Sequence, residues 1–349
     1  MTALLEVSDL VVEFPQRGWR RAPFRAVDGV SFDVREAETV GLVGESGSGK
    51  STIGRAILGL TPVAAGAIRY AGTDIANATA RARRRLASEL QVIFQDPYSS
   101  LDPLRTVGES VGEPLAAHTR LGTAEIRERV GRILEQVGLP DDAQRRYPRA
   151  FSGGQRQRIA IARALTVQPR LLICDEPISA LDLSTQAQVL NLLGDLQAQL
   201  GVAYLFIAHN LDVVRHLSSR VVVLYRGRIM ESGPAPEISA SPLHPYSRAL
   251  WAASPVADPE RQARRRRDRA AAVRSSTTAA GVAPLDGCPF TPRCPHAHDV
   301  CLRRRPADTP VGERVIACHL FDAGSGHPDA GRGTRLVPPL TPTPERTVT

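Results

Sequence analysis

The nine residues Gly44-Glu45-Ser46-Gly47-Ser48-Gly49-Lys50-Ser51-Thr52 combine three glycines, a lysine and hydroxyls in an order suited to holding an anion. They fit the phosphate-loop pattern of a glycine, four residues, then Gly-Lys-Ser, carried by Gly44, Gly49, Lys50 and Ser51. Glycines at 44, 47 and 49 let the backbone turn sharply and bring its N–H groups close around a phosphate, where a Cβ would obstruct. Lys50 is placed to reach the β and γ phosphates, and the Ser51 hydroxyl to hold Mg²⁺.

Two further stretches add to this chemistry. Leu171-Leu172-Ile173-Cys174-Asp175-Glu176 is an apolar run ending in two carboxylates, about 125 residues after the loop. Asp175 at the strand end is a Mg²⁺ holder, and Glu176 is placed to polarise a water against the γ-phosphate. Phe151-Ser152-Gly153-Gly154-Gln155 opens an apolar helix with two glycines behind a hydroxyl, the makings of a second anion cradle. One protomer cannot easily bring two such cradles to one γ-phosphate, so the second is expected to serve a partner subunit.

These residues need elements to position them. Thr39–Val43 reads as a buried strand before the loop, and residues 53–60 as the helix after it, so the positive end of a helix faces the bare amides. Short alternating runs between residues 4 and 40 predict antiparallel strands, with Phe14, Trp19 and Phe24 in or beside the loop between them. Residues 61–75 read as turn and strand, and 77–90 as a basic helix. The text then turns helical from 97 to 165, punctuated by Pro97, Pro103, Pro114 and Pro140. The Leu171–Asp175 run is a buried strand of parallel-sheet type. An amphipathic helix over 184–200 stops at Gly201, a second buried strand covers 202–208, and a hairpin over 221–231 turns at Arg226-Gly227. Strand and helix alternating in this order predict an α/β fold with a mainly parallel sheet.

The chain has 349 residues and a formal net charge of +8. No stretch approaches the roughly 20 apolar residues of a membrane-spanning helix, and the start lacks the pattern of a secretory signal. Arginines cluster at 81–85 and 264–267. Such clusters bind nucleic acid or anionic lipid, but read more simply as solvated helix faces or linkers.

Taken in order, the motifs from about residue 4 to 255 resemble the nucleotide-binding subunits of ABC transporters. The resemblance implies a P-loop NTPase core with a parallel sheet, an N-terminal antiparallel β subdomain and a helical subdomain inserted at about 97–165. It makes Gln95 the loop glutamine that senses Mg²⁺ and contacts the membrane partner. Ser152, Gly153, Gly154 and Gln155 become the signature motif, Asp182 part of the D-loop, and His209 the switch histidine. Phe14 is the aromatic expected to stack on adenine, with Phe24 second. Ser46, Gly47, Ser48 and Thr52 complete the ATP-binding loop. Ala37 stands where the family usually has glycine, and Phe151 where leucine is commonest.

Phe94-Gln95-Asp96-Pro97-Tyr98-Ser99-Ser100-Leu101, Ala208-His209-Asn210-Leu211, Ser241-Pro242-Leu243-His244-Pro245-Tyr246 and Gly287-Cys288-Pro289-Phe290 sharpen this to a resemblance to oligopeptide/dipeptide importer ATPases, of which nickel importers are a branch. That resemblance implies two ATPase subunits, the second of a different kind, closing head to tail over two Mg-ATP. It further implies two membrane permeases, an extracytoplasmic peptide-binding protein, a peripheral position at the cytoplasmic face of the membrane, and no direct contact with nucleic acid. A non-transport ABC ATPase acting on nucleic acid is the alternative, and the expected second ATPase domain or long coiled coil is missing for it.

Cys288, Cys294, Cys301 and Cys318 are separated by five, six and sixteen residues. Clustered thiols in a reducing compartment suggest metal ligation rather than disulfides. A 4Fe-4S cluster, Zn²⁺ or no metal are the readings left open. The spacing is not that of a zinc ribbon, importer ATPases with this tail are associated with an iron–sulfur cluster, and His296, His298 and His319 keep zinc in play. Cys174 reads as a packing residue. The expected organisation is an ATPase domain over 1–255, an Arg/Ala-rich linker over 256–285, a Cys-rich metal-binding extension over 286–320 and a disordered tail over 321–349.

Overall fold

The computed structural model describes residues 3–16, 22–96, 100–209, 211–253 and 286–336. Trp19, Pro97, Tyr98, Ser99, Asn210, the expected linker and the tail from 337 lie outside them. In chain order the strands are β1 (Ala3–Phe14), β2 (Phe24–Arg35), β3 (Thr39–Val43), β4 (Ala65–Tyr70), β5 (Thr73–Asp74), β6 (Leu90–Ile93), β7 (Leu171–Asp175) and β8 (Ala203–Ala208). They continue with β9 (Arg220–Tyr225), β10 (Arg228–Pro234), β11 (Asp308–Val311) and β12 (Arg314–Ala317). The chain forms two compact units: Met1–Phe24, Ser31–Val40 and Ser51–Ala208 make the first, and Arg25–Val30, Gly41–Lys50 and His209–Thr349 the second.

The first unit holds an antiparallel sheet of order β2-β1-β4-β5. Alternation along β1, resumed after an irregularity between Ser8 and Val11, puts Leu5 and Val7 and then Leu10 and Val12 in the core, two short period-2 runs visible in the sequence. The same unit carries β6, β7 and β8 in parallel register, with Ile93 opposite Cys174 and Asp175 opposite Ile207. Every residue of β7 and β8 is buried, as strands covered on both faces require. Helix Leu183–Leu200 buries Val189, Leu190, Leu193 and Leu196 and stops at Gly201 in the left-handed region, φ +65°.

The helical segment contains Val107–His118, Thr123–Gln136 and Gly153–Leu165. Pro114, read from the sequence as punctuation, lies inside the first of these. A capping box between Thr106 and Glu109 starts that helix, and Val107, Val111 and Leu115 are buried along it. Cap and packing together outweigh proline's poor helix propensity. The loop helix also differs from expectation, running Lys50–Ile57 rather than over 53–60, because Gly59 takes φ +74° and turns the chain away. Arg83, in the cluster read as a solvated face, is half-buried: its Nη1 donates to Ile57 O at 2.6 Å and its Nη2 to Ile75 O. It closes the carbonyl end of the loop helix.

In the second unit β9 and β10 form the predicted hairpin, turning at Arg226 (φ +46°) and Gly227 (φ +78°). β12 then adds antiparallel to β10, with Glu231 opposite Ile316, and β11 pairs with β12. The Cys-rich segment is therefore joined by a backbone ladder to the hairpin. Residues 321–336, read from composition as disordered, are folded: Ser325 and His327 are buried, Ser325 Oγ donates to His319 O at 2.8 Å, and a ring nitrogen of His327 meets His296 O at 2.9 Å. Local polar bonds hold this segment where its Gly and Pro content suggested no core.

Candidate active site

The loop after β3 is shaped by its glycines. A Cβ on Gly44, at φ +156°, would lie 2.1 Å from Leu224 O, and one on Gly49, at φ +105°, 2.5 Å from Ala26 O. Both neighbours are backbone and cannot step aside, so these positions admit glycine alone. Lys50 is 4% exposed, and its Nζ donates to Gly44 O at 2.8 Å and Glu45 O at 3.0 Å. The ammonium is thereby curled into its own loop. Ser48 is buried and Ser46 and Gly47 are exposed. Thr52 sits in the first turn of the helix.

In the first unit Ser51 Oγ donates to Asp175 Oδ1 at 2.7 Å, so residues 124 apart in sequence meet. Asp175 ends β7 and is 9% exposed. A hydroxyl and a buried carboxylate side by side are an oxygen donor set of the kind a hard divalent cation takes. Glu176 follows at φ +50°, and its N–H donates to Ile207 O at 3.0 Å. Its carbonyl accepts from Ser179 N and Oγ at 3.2 and 3.1 Å. The strained backbone is thus pinned on both sides, the condition under which such strain persists at functional sites. Gln95 is exposed just beyond the C-terminal end of β6. Ends of parallel strands are where open α/β sheets bind ligands. His209 is exposed directly after β8. Phe14 ends β1 and Phe24 begins β2, 40% and 54% exposed, so both remain available for stacking.

Ser152 caps helix Gly153–Leu165: its hydroxyl accepts from Gln155 N at 3.3 Å, and Gln155 Oε1 accepts from Ser152 N at 3.0 Å. Gly154 has a role the sequence did not reveal. A Cβ there would lie 2.3 Å from Thr185 Cγ2. Thr185 in turn is fixed by Asp182, whose carboxylate accepts from Thr185 N at 3.0 Å, Thr185 Oγ1 at 2.8 Å and Ser184 Oγ at 2.6 Å. Those hydrogen bonds, led by that from Ser184, hold the Asp182 carboxyl well below the usual carboxylate range. The starts of helices Gly153–Leu165 and Leu183–Leu200 are therefore packed as one piece.

In the second unit Cys288, Cys294, Cys301 and Cys318 line a single cavity with His244, His296, His319 and His327. Burial pushes all four thiols up, Cys294 to about 12. The buried Nδ1 of His319 has no hydrogen-bond partner. Among the described residues no group of three or more His, Cys, Asp or Glu is arranged to hold a metal ion. Cys174 is fully buried in β7 and packs as expected.

The comparisons with known proteins agree with this geometry. The family model described as ABC transporter matches residues 27–179, and that described as oligopeptide/dipeptide transporter, C-terminal region, matches 230–301. A putative peptide import ATP-binding protein of Brucella abortus is 47% identical over 91% of this chain and 94% of its own length. This chain belongs to the oligopeptide/dipeptide family of ABC transporter ATP-binding proteins. Within the family, the oligopeptide transport ATP-binding protein OppF of Escherichia coli is 44% identical over 91% of this chain and 96% of its own. Among solved structures, an ATP-binding cassette described as a dimer in a post-hydrolysis state bound to ADP and Pi has TM-score 0.60 and 27% identity, covering 66% of this chain and 98% of its own. A cassette from Clostridium perfringens, described as part of an ABC transporter complex, has TM-score 0.60 and 26% identity over 68% of this chain and 91% of its own. No helix among the described residues is long and apolar enough to cross a membrane.

Family membership makes the chain an ATPase. Residues that sequence reasoning passed over are Glu45, Thr185, Glu231 and Arg293. Only Glu231 carries a local signal, as a lone carboxylate in an apolar hairpin; it is 0% exposed and accepts from Leu243 N and His244 N.

Proposed function

We propose that this chain hydrolyses ATP to drive import of oligopeptides or dipeptides, working with a second, different ATPase subunit, two membrane permeases and an extracytoplasmic peptide-binding protein. The observation that carries the ATP chemistry is the curled Lys50 together with the 2.7 Å Ser51–Asp175 bond. The names of the relatives support the peptide reading over the nickel-importer alternative.

In this mechanism the loop amides and Lys50 take the phosphates, Lys50 leaving the carbonyls of Gly44 and Glu45 as it does so. Ser51, Asp175 and Gln95 would hold Mg²⁺, which would supply neutralisation of charge on the phosphate oxygens. Glu176 orients and deprotonates the attacking water, and His209 donates to the γ-phosphate. An aromatic, Phe14 or Phe24, stacks on adenine. Ser152, Gly153, Gly154 and Gln155 complete the nucleotide held by the partner subunit, with Asp182 supporting them across the same interface; the solved dimeric relative favours that arrangement. The helical segment is the contact for the permeases, which places the chain at the cytoplasmic face of the membrane. Nucleic acid binding loses support because Arg83, at the centre of the described arginine cluster, is spent on backbone carbonyls.

The support for a bound group is that the four thiols line one cavity. Cys288, Cys294, Cys301 and Cys318 would hold a 4Fe-4S cluster, which supplies structural ligation and a redox centre; the thiols release their protons on binding it. Zn²⁺ is the alternative.

Purifying the chain with its neighbouring subunits tests the reading. Peptide-stimulated ATP turnover in the assembled complex, with iron and sulfide present in the sample, is expected. A complex that turns over ATP with no response to peptide and its binding protein would overturn the transport assignment. Zinc in place of iron would overturn only the cluster.

A further inference from the structure

Tyr246, in the motif Ser241–Tyr246, and Arg293, just beyond Gly287–Phe290, are left unused by the mechanism, and they converge on one residue of the phosphate loop. Glu45 is held at three points. Its N–H donates to Tyr246 Oη at 3.0 Å. Both oxygens of its carboxylate accept from Arg293 Nη1, at 2.9 and 2.9 Å. Its carbonyl accepts from Lys50 Nζ at 3.0 Å and from Ser48 N at 3.1 Å. One of the two residues that receive the ammonium of Lys50 is thus fixed from outside the loop.

The two holding side chains are themselves well placed. Tyr246 is fully buried, its N–H donates to His244 Nδ1 at 2.9 Å, and its ring lies 4.5 Å from that of Tyr225 and 5.4 Å from that of Phe290. His244 N is anchored on the buried Glu231 carboxylate at 2.9 Å. Arg293 lies between Cys288 and Cys294 in the chain, on the short turn Thr291–Arg293, with its guanidinium over the Phe290 ring at 5.4 Å. Both reach the phosphate loop at Glu45, so their effect on it runs through that residue.

We propose that Tyr246 and Arg293 are positioning residues for ATP binding: they fix Glu45, and with it the shape of the phosphate loop, so that nucleotide affinity depends on the C-terminal segment. A loop already fixed loses less backbone freedom when ligand arrives. Arg293 also neutralises a carboxylate that would otherwise face a triphosphate across the loop. The inference rests on the phosphate-loop reading and on no assumption about what the cysteines bind.

The test measures KM and kcat for ATP in the assembled complex and Kd for a fluorescent ATP analogue on the full chain. Tyr246→Phe keeps the ring and removes only the hydroxyl; it should raise KM and Kd about two- to tenfold, the effect of one hydrogen bond. Arg293→Ala should raise them about two- to fivefold, as a half-exposed ion pair allows, and Arg293→Lys should recover part of the loss. In both variants kcat at saturating ATP should stay within about twofold of the parent. The Arg293→Ala effect should shrink in high salt while that of Tyr246→Phe persists. In a Glu45→Gln background Arg293→Ala should add little further.

Unchanged KM in Tyr246→Phe and Arg293→Ala, or a fall in kcat at constant KM, would overturn the proposal. Lys50→Ala separates it from the reading beneath it. Normal nucleotide binding by Lys50→Ala sinks the loop assignment, whereas its loss beside silent Tyr246→Phe and Arg293→Ala sinks this inference alone. Should Arg293→Ala fail to fold, Arg293→Lys and Tyr246→Phe decide the question.

Discussion

Gly154→Ala tests whether the starts of helices Gly153–Leu165 and Leu183–Leu200 form one packed piece. The new Cβ would meet Thr185 Cγ2 at 2.3 Å, against an ordinary carbon contact of about 3.5–4.0 Å, so more than 1 Å of movement is required. Rotating Thr185 away breaks its 2.8 Å bond to Asp182 Oδ2, at a cost of about 0.5–1.5 kcal/mol. Leaving it in place overpacks the contact, at about 1–3 kcal/mol. Alanine returns up to about 1 kcal/mol through its better helix propensity. The net expectation is a loss of about 1–2 kcal/mol, or roughly 2–8 °C in melting temperature for a unit of this size. ATP turnover in the assembled complex should fall further than stability alone explains, because the start of helix Gly153–Leu165 is displaced where, in the proposed function, it would serve the partner. Thr185→Ser removes Cγ2 and keeps the oxygen on Asp182, so Gly154→Ala with Thr185→Ser should recover most of the lost stability. Thermal melts of the single and double variants read this directly. A Gly154→Ala protein as stable as the parent, or one that Thr185→Ser does not rescue, refutes the packing argument.

Other outcomes follow from the site. Glu176→Gln should retain ATP binding while hydrolysis drops by about 10²- to 10⁴-fold, the usual contribution of a positioned base; a single-turnover assay with labelled ATP measures it, and unchanged turnover removes Glu176 from the role. Lys50→Ala should lose nucleotide affinity, as equilibrium binding of a fluorescent ATP analogue reports. Ser51→Ala should raise the magnesium concentration needed for half-maximal turnover, and a titration at fixed ATP decides it. Cys294→Ala should lower iron and sulfide content in the purified protein, measured by elemental and sulfide analysis, with wild-type iron content counting against the cysteine assignment.

The fold core and the ATP motifs were legible because each rests on local pattern. Period-2 alternation in β1, the unbroken apolar runs of β7 and β8, and the loop glycines all state their geometry within a few residues. What escaped notice depends on partners far apart in sequence. Nothing near Gly154 announces Thr185, and nothing in the loop announces that Glu45 will meet Tyr246 and Arg293, roughly 200 and 250 residues away. Pro114 misled because capping and packing override propensity. The segment 321–336 misled because its order comes from hydrogen bonds around His319 and His327 rather than from an apolar periodicity. Phe14 and Phe24 stay equivalent even in three dimensions, since both are exposed at strand ends.

The pairing of β12 with β10 has a practical corollary for anyone wishing to prepare the cassette by itself. Trimming the chain after residue 253 would strip the ladder from one side of β10 and bare the apolar cluster of Leu243, which Ile316, Cys318 and Leu320 now complete. An unpaired strand flanked by exposed apolar side chains invites sheet-to-sheet aggregation. The intact chain ends its sheet differently, on β11, four residues long and carrying Asp308 and Pro310, a border that discourages further strands from docking. A shortened protein that precipitates would thus be reporting an uncovered sheet margin, and its insolubility would carry no information about nucleotide chemistry.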